Sequence, residues 1–163
     1  MELSKTMEKA INKQIQAEYY SSYMYLAMAA YCDSVNMPGY AHWMREQAEE
    51  ELEHALKFYD YIVERGGRVV LQAIEQPPVE YDSLLAVAEE TYAHEQKVTG
   101  LIHALYEAAL AEKDYASQNF LQWYIKEQVE EEDNARTIVD QFKMIGNHPN
   151  GLFMLDRQLG ARE

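Results

Sequence analysis

Glu49-Glu50-Glu51-Leu52-Glu53-His54 lies inside a helical pattern that runs from about Pro38 to Arg65. Glu51 and His54 are three residues apart, so on a helix they leave from one face, about one turn apart. A carboxylate and an imidazole held in that way form one arm of a chelate for a divalent metal. In four-helix carboxylate proteins the Glu-x-x-His step does this job, and single glutamates from the other helices complete the site. The rest of the chain decides the matter by whether it supplies those glutamates at the same height.

Around this stretch Tyr40, Met44, Gln47, Glu51, His54, Phe58 and Tyr61 recur at three- and four-residue steps and make one stripe. Pro38 suits the first helical position, and Gly66-Gly67 is a C-terminal stop. Upstream, a helix from a Ser4 cap to about Cys32 carries Met7, Ile11, Gln14, Glu18, Ser22, Tyr25 and Ala29 on one face. Downstream, Arg68 to Tyr81 lacks a helical period and contains Pro77-Pro78. Those residues, fully extended, reach roughly 45–50 Å, about the length of a 30-residue helix. They predict a crossover along the whole bundle, leaving the second and third helices parallel. Val69, Val70, Leu71 and Ile74 give that crossover something to pack with, either its own bundle or a second subunit.

The third helix is predicted from about Asp82-Ser83 to Ala111, with Leu84, Ala88, Thr91, Glu95, Val98, Ile102, Leu105 and Ala109 on one face. Asp114 caps the fourth, which turns Leu121, Tyr124, Gln128, Glu131, Ala135, Ile138 and Phe142 inward and ends at Gly146-Asn147-His148-Pro149. A last amphipathic piece, about 150–160, is too short to stand alone and must dock. The expected architecture is all-α: a four-helix bundle over about 4–146 with a long crossover and a short C-terminal fifth helix, forming a single domain over 1–163.

Composition agrees. The 163 residues are 48% hydrophobic, with only 7 glycines and 4 prolines, which favours few, long helices. A net charge of −14 makes nucleic acid a poor partner and cations good ones. Met1 to Lys9 carries charges and no apolar core, so no signal peptide is expected. No apolar run approaches the roughly 20 residues of a membrane span. The single cysteine, Cys32, excludes an internal disulfide or a cysteine metal cluster and suits a reducing cytosol. Cys32 itself reads as a small buried residue.

The midpoints of the four long helices fall at about residues 18, 52, 97 and 130, good to a few residues each. Helices of equal length share their midpoints in a bundle, whichever way neighbours run. The apolar stripes are interrupted by acid at Glu18, Glu51, Glu95 and Glu131, all close to those midpoints. Four carboxylates and His54 therefore converge on one level of the core. Without compensation that is prohibitive, because a buried carboxylate would rather take up a proton. Two divalent cations neutralise it, and oxygen and imidazole donors favour Mn, Fe, Co or Zn. A pair of metals bridged by a carboxylate can bind O₂ between them, which makes a di-iron centre the inference. His94 sits about 100° around the helix from Glu95 and reads as a surface or near-site histidine. His42, His103 and His148 read as structural or exposed. Tyr25 and Trp123 are the aromatics placed to donate an electron.

Glu18-Tyr19-Tyr20-Ser21-Ser22-Tyr23-Met24-Tyr25, Glu49 to His54, His94-Glu95-Gln96 and Asn119 to Glu132 resemble the non-haem ferritins of bacteria and archaea. The resemblance covers nearly the whole chain. It implies a hollow cage of about 24 subunits that oxidises Fe(II) with O₂ or H₂O₂ and stores it as ferric mineral. By that resemblance one metal would be held by Glu18, Glu51 and His54. The second would be held by Glu51, Glu95 and Glu131, with Gln128 as a nearby or O₂-facing amide. A third iron would sit at Glu50, Glu127 and Glu130, sharing Glu131, and Tyr25 matches the family's tyrosine beside the centre. Bacterioferritins repeat Glu-x-x-His on the fourth helix, where this chain has Gln128-Val129-Glu130-Glu131. They also ligate haem through a methionine where this chain has Leu52, so no haem is expected. Rubrerythrins need paired Cys-x-x-Cys. A peroxide-scavenging di-iron oxidase, and a metal-free helical bundle, remain as alternative readings of the same residues.

Overall fold

The computed structural model describes residues 2–163, and the described residues form five helices. They are α1 (Lys5–Ser34), α2 (Pro38–Glu64), α3 (Leu84–Ala111), α4 (Tyr115–Ile145) and α5 (Pro149–Leu159). Short polar side chains open three of them. Ser4 accepts the Met7 N–H at 3.1 Å, Ser83 that of Ala86 at 3.0 Å and Asp114 that of Ser117 at 3.1 Å. Pro38 starts α2, as expected, and Arg65 caps its end just before Gly66, whose φ of 70° only glycine adopts freely. α1 runs two residues further than predicted, and Asn36 turns the chain with φ of 63°.

Contacts at the helix ends fix the topology. The Leu3 N–H donates to the Arg65 carbonyl at 3.2 Å, and Arg65 Nη2 lies 3.1 Å from Asp114 Oδ2. The starts of α1 and α4 therefore meet the end of α2, and both run antiparallel to it. The crossover then climbs α1. Asn12 donates to the Arg68 carbonyl and accepts from the Val70 N–H, Gln16 donates to the Ala73 carbonyl, and Tyr31 meets Tyr81 edge-on at 5.2 Å. The chain so reaches the end of the bundle where α2 began, and α3 runs parallel to α2, as the length of the crossover predicts. Val69 packs on the bundle, whereas Val70, Leu71, Ile74 and Val79 face outward from it.

α5 docks at that same end. Met37, at the start of α2, offers no side-chain cap, and Asp156 of α5 fills the role by accepting the Tyr40 N–H at 2.9 Å. Only glycine fits between them: a Cβ on Gly39 would lie 1.8 Å from the Asp156 carbonyl oxygen.

The core is two apolar clusters. One gathers Met28, Tyr40, Met44, Val87 and Phe142; the other gathers Met7, Ile11, Phe58, Ile102 and Tyr124. The largely buried Asp114–Arg65 pair ties the second cluster's end together. Asp114→Ala should cost about 2–4 kcal/mol through loss of both the cap and the pair. In a thermal melt that is roughly 5–15 °C; an unchanged melting temperature would show that the pair contributes nothing.

Candidate metal centre

Between the two apolar clusters lies a polar layer to which all four long helices contribute. Gln14 and Glu18 come from α1, Gln47, Glu51 and His54 from α2, Glu95 from α3, and Gln128 and Glu131 from α4; all are buried. Each sits on the stripe that its helix turns inward, so the helical period that packs the core also delivers the acids.

Glu18, Glu51 and His54 offer ligand atoms that all lie within 4.8 Å of one another. His54 Nδ1 is 3.4 Å from Glu51 Oε2. Neutral donors orient the other oxygens. Gln14 Nε2 donates to Glu18 at 2.8 Å, Gln47 Nε2 to Glu131 at 2.8 Å and Gln128 Nε2 to Glu95 Oε2 at 3.2 Å. The Tyr25 hydroxyl donates to Glu95 Oε1. On the far side the Tyr124 hydroxyl donates to the His54 carbonyl at 2.8 Å, fixing that turn of α2.

The electrostatics are unfavourable to an empty cluster of charges. Burial, and then the charge of Glu51, pushes the Glu18 carboxyl well above the usual range. Burial, and then Glu95, does the same to Glu51. Glu131 is pushed up to about 7 by burial and then by Glu95, and Glu95 is raised by burial. Glu18 Oε2 and Glu51 Oε2 are buried with no hydrogen-bond partner, a state that costs a few kcal/mol per group unless something else satisfies it. Divalent cations fit that need. The donor set, carboxylate oxygens with one imidazole, suits Fe, Mn, Co or Zn.

Of the other residues singled out from sequence, Trp123 lies edge-on to His54 with ring centroids 5.3 Å apart and carries Lys57 Nζ 3.2 Å over its ring. His94 is half-buried, 2.7 Å from Ser21 Oγ and edge-on to Tyr25. Burial, and then Lys97, lowers it to about 4, so it is neutral. His103 and His148 are exposed, His42 is half-buried, and Cys32 is buried. Glu50 and Glu127 are half-buried and Glu130 is exposed. Glu50 Oε2 is engaged by the Arg162 guanidinium at 2.6 Å.

Three participants escaped the sequence reading. Gln14 and Gln47 stood on the right stripes but gave no sign that they orient Glu18 and Glu131. Arg162 lies beyond the last helix, where periodicity says nothing.

Four long helices, a lengthwise crossover and a carboxylate–imidazole cluster at mid-height define a ferritin-like carboxylate metal protein. The chain belongs to the ferritin family: residues 8–145 match the family described as Ferritin-like domain. It is 43% identical over 160 residues to the bacterial non-heme ferritin of Bacteroides fragilis, covering 98% of this chain and 99% of that protein. It is 42% identical over 160 residues to that of Staphylococcus epidermidis, covering 98% and 96%. Among solved structures it matches an open pore ferritin from the hyperthermophilic archaeon Archaeoglobus fulgidus with a TM-score of 0.98 and 52% identity, covering 99% of this chain and 98% of that one. No helix is long and apolar enough to cross a membrane among the described residues.

Proposed function

We propose that this protein oxidises Fe(II) at a two-metal centre and stores the product as ferric mineral inside a multimeric, cytoplasmic cage. The observation that carries this is the buried Glu18, Glu51 and His54 cluster, whose carboxylates each leave one oxygen without a hydrogen-bond partner. Iron is the substrate here. One Fe(II) binds Glu18, Glu51 and His54; a second binds Glu51, Glu95 and Glu131, near Gln128. Each cation favours the ionised form of carboxyls that burial biases toward the protonated one, so binding releases protons. The two ions give up one electron each, and O₂ accepts both and, with two protons, becomes hydrogen peroxide.

The chain's own part is to neutralise, orient and exclude. Gln14, Gln47 and Gln128 aim their carboxylates, and the apolar clusters on either side keep bulk water away. Tyr25 holds Glu95 in place. Because the second position has carboxylates and no imidazole, it releases its ion more readily than the first, which suits iron in transit to a mineral. Glu50, Glu127 and Glu130 extend the route from Glu131 outward along α2 and α4, and the net charge of −14 draws Fe²⁺ in.

Anaerobic titration tests this directly. The assembled protein should take up two Fe(II) per subunit, turn coloured only when oxidant is admitted, and retain many more ions on repeated cycles. Comparing O₂ with H₂O₂ identifies the preferred oxidant. A protein that takes up no Fe(II), or that elutes as a single subunit of 19.0 kDa, would overturn the storage reading.

A further inference from the structure

The four residues after α5 fold back over α2 rather than leaving the bundle, and Arg162 is their anchor. Its carbonyl accepts from His42 Nε2 at 2.8 Å. Its guanidinium donates to Gln47 Oε1 at 2.6 Å and to Glu50 Oε2 at 2.6 Å, and lies 5.0 Å over the Trp43 ring. Gly160 seats the turn, since a Cβ there would come within 2.9 Å of Gly39 Cα. The result is a cleft between α2 and α4 in which Arg162 faces Glu50 and Glu130.

Resting on the two-metal reading above, we infer that Arg162 is a tethered cation that occupies the Glu50 position and must be displaced before a further metal ion can use it. A guanidinium and a divalent ion compete for the same Glu50 oxygen, and both cannot hold it. Arg162 is well suited to the role. Its planar fork spans two acceptors on one face of α2, while the Trp43 ring shields it. It also reaches the centre: the Gln47 amide that accepts from Arg162 donates with its other end to Glu131. The tail therefore touches, through one side chain, a carboxylate of the second metal position. Arg162 is a positioning residue, held outside the reaction itself.

Zn(II), which undergoes no redox chemistry, is the probe. Calorimetric titration of the assembled, metal-free wild type should give two tight ions per subunit and a weaker third. Arg162→Gln should tighten the third at least about ten-fold, the worth of one lost charge-assisted hydrogen bond. Arg162→Lys keeps the cation and should restore weak third binding. Adding Glu50→Gln to Arg162→Gln should cancel the gain. A chain ending at Gly160 should reproduce the Arg162→Gln result and serves in its place if that variant does not assemble. An unchanged third affinity in the substituted or shortened chain, or a gain that survives without Glu50, would overturn the inference. A wild type with no tight pair would overturn the two-metal reading first.

Discussion

Glu51→Ala is expected to slow Fe(II) oxidation by at least about 100-fold at saturating oxidant. Substitutions that only disturb a ligand's orientation already cost about 10- to 100-fold, and Glu51 is the carboxylate proposed to touch both ions. The same position separates function from structure. In the metal-free protein Glu51 is a destabilising residue, buried, partly unsatisfied and facing Glu18 and Glu95. Glu51→Gln keeps its shape and cannot ionise, so it should melt at or above the wild-type temperature at neutral pH while losing the activity. A residue retained for packing would give the opposite pair of results. Stopped-flow absorbance and a thermal melt on one preparation settle it. Oxidation at the wild-type rate in Glu51→Ala, or in a Glu18→Ala, His54→Ala double variant, would sink the two-metal mechanism.

The second large effect is a reversal of pH dependence by metal. Glu131 has a folded value raised to about 7 from an ordinary 4.5, and burial raises Glu18 and Glu51 in the same direction. Groups shifted upward bind more protons when folded than when unfolded. Their contribution to stability is therefore intact below about pH 4.5 and is lost as the pH rises through the folded values. For Glu131 alone the loss is on the order of 3 kcal/mol. The metal-free protein should thus lose melting temperature as the pH rises from about 5 to about 7.5, through the folded value of Glu131. Two equivalents of Zn(II) should raise it most at the upper end, where the carboxylates give up their protons readily. A metal-free melt that is flat across this window, or a Zn(II) effect that shrinks as pH rises, would show that the cluster is not the source.

The helices and their inward faces were legible because two requirements coincide in this chain. A long amphipathic helix must repeat every three to four residues, and its caps and stops, Ser4, Pro38, Gly66 and Asp114, are chemically distinct. Every residue assigned to the inner stripe of α2 and of α4 is buried. Ser22 and Leu84 are only half-buried: Ser22 donates its hydroxyl to the Ala48 carbonyl of α2, and Leu84 is the first residue of α3. The acids were legible because a carboxylate on an apolar stripe is conspicuous. What surrounds them was not. A glutamine on a stripe gives no clue which oxygen it will meet, and the reach of Arg162 across to α2 depends on how α5 docks. That docking is set by the Gly39–Asp156 contact, between residues far apart in the chain.

The amides of Gln14, Gln47 and Gln128 carry a last consequence. Each grips a glutamate through one oxygen with a donor that has no charge and no titration of its own. Their grip is firmer on an ionised carboxylate than on a protonated one, yet the donor itself brings no charge to be compensated in either state. The scaffold therefore does not need rebuilding each time cargo arrives or departs. If iron passes through this centre as proposed, the same three neutral amides serve every ion that passes.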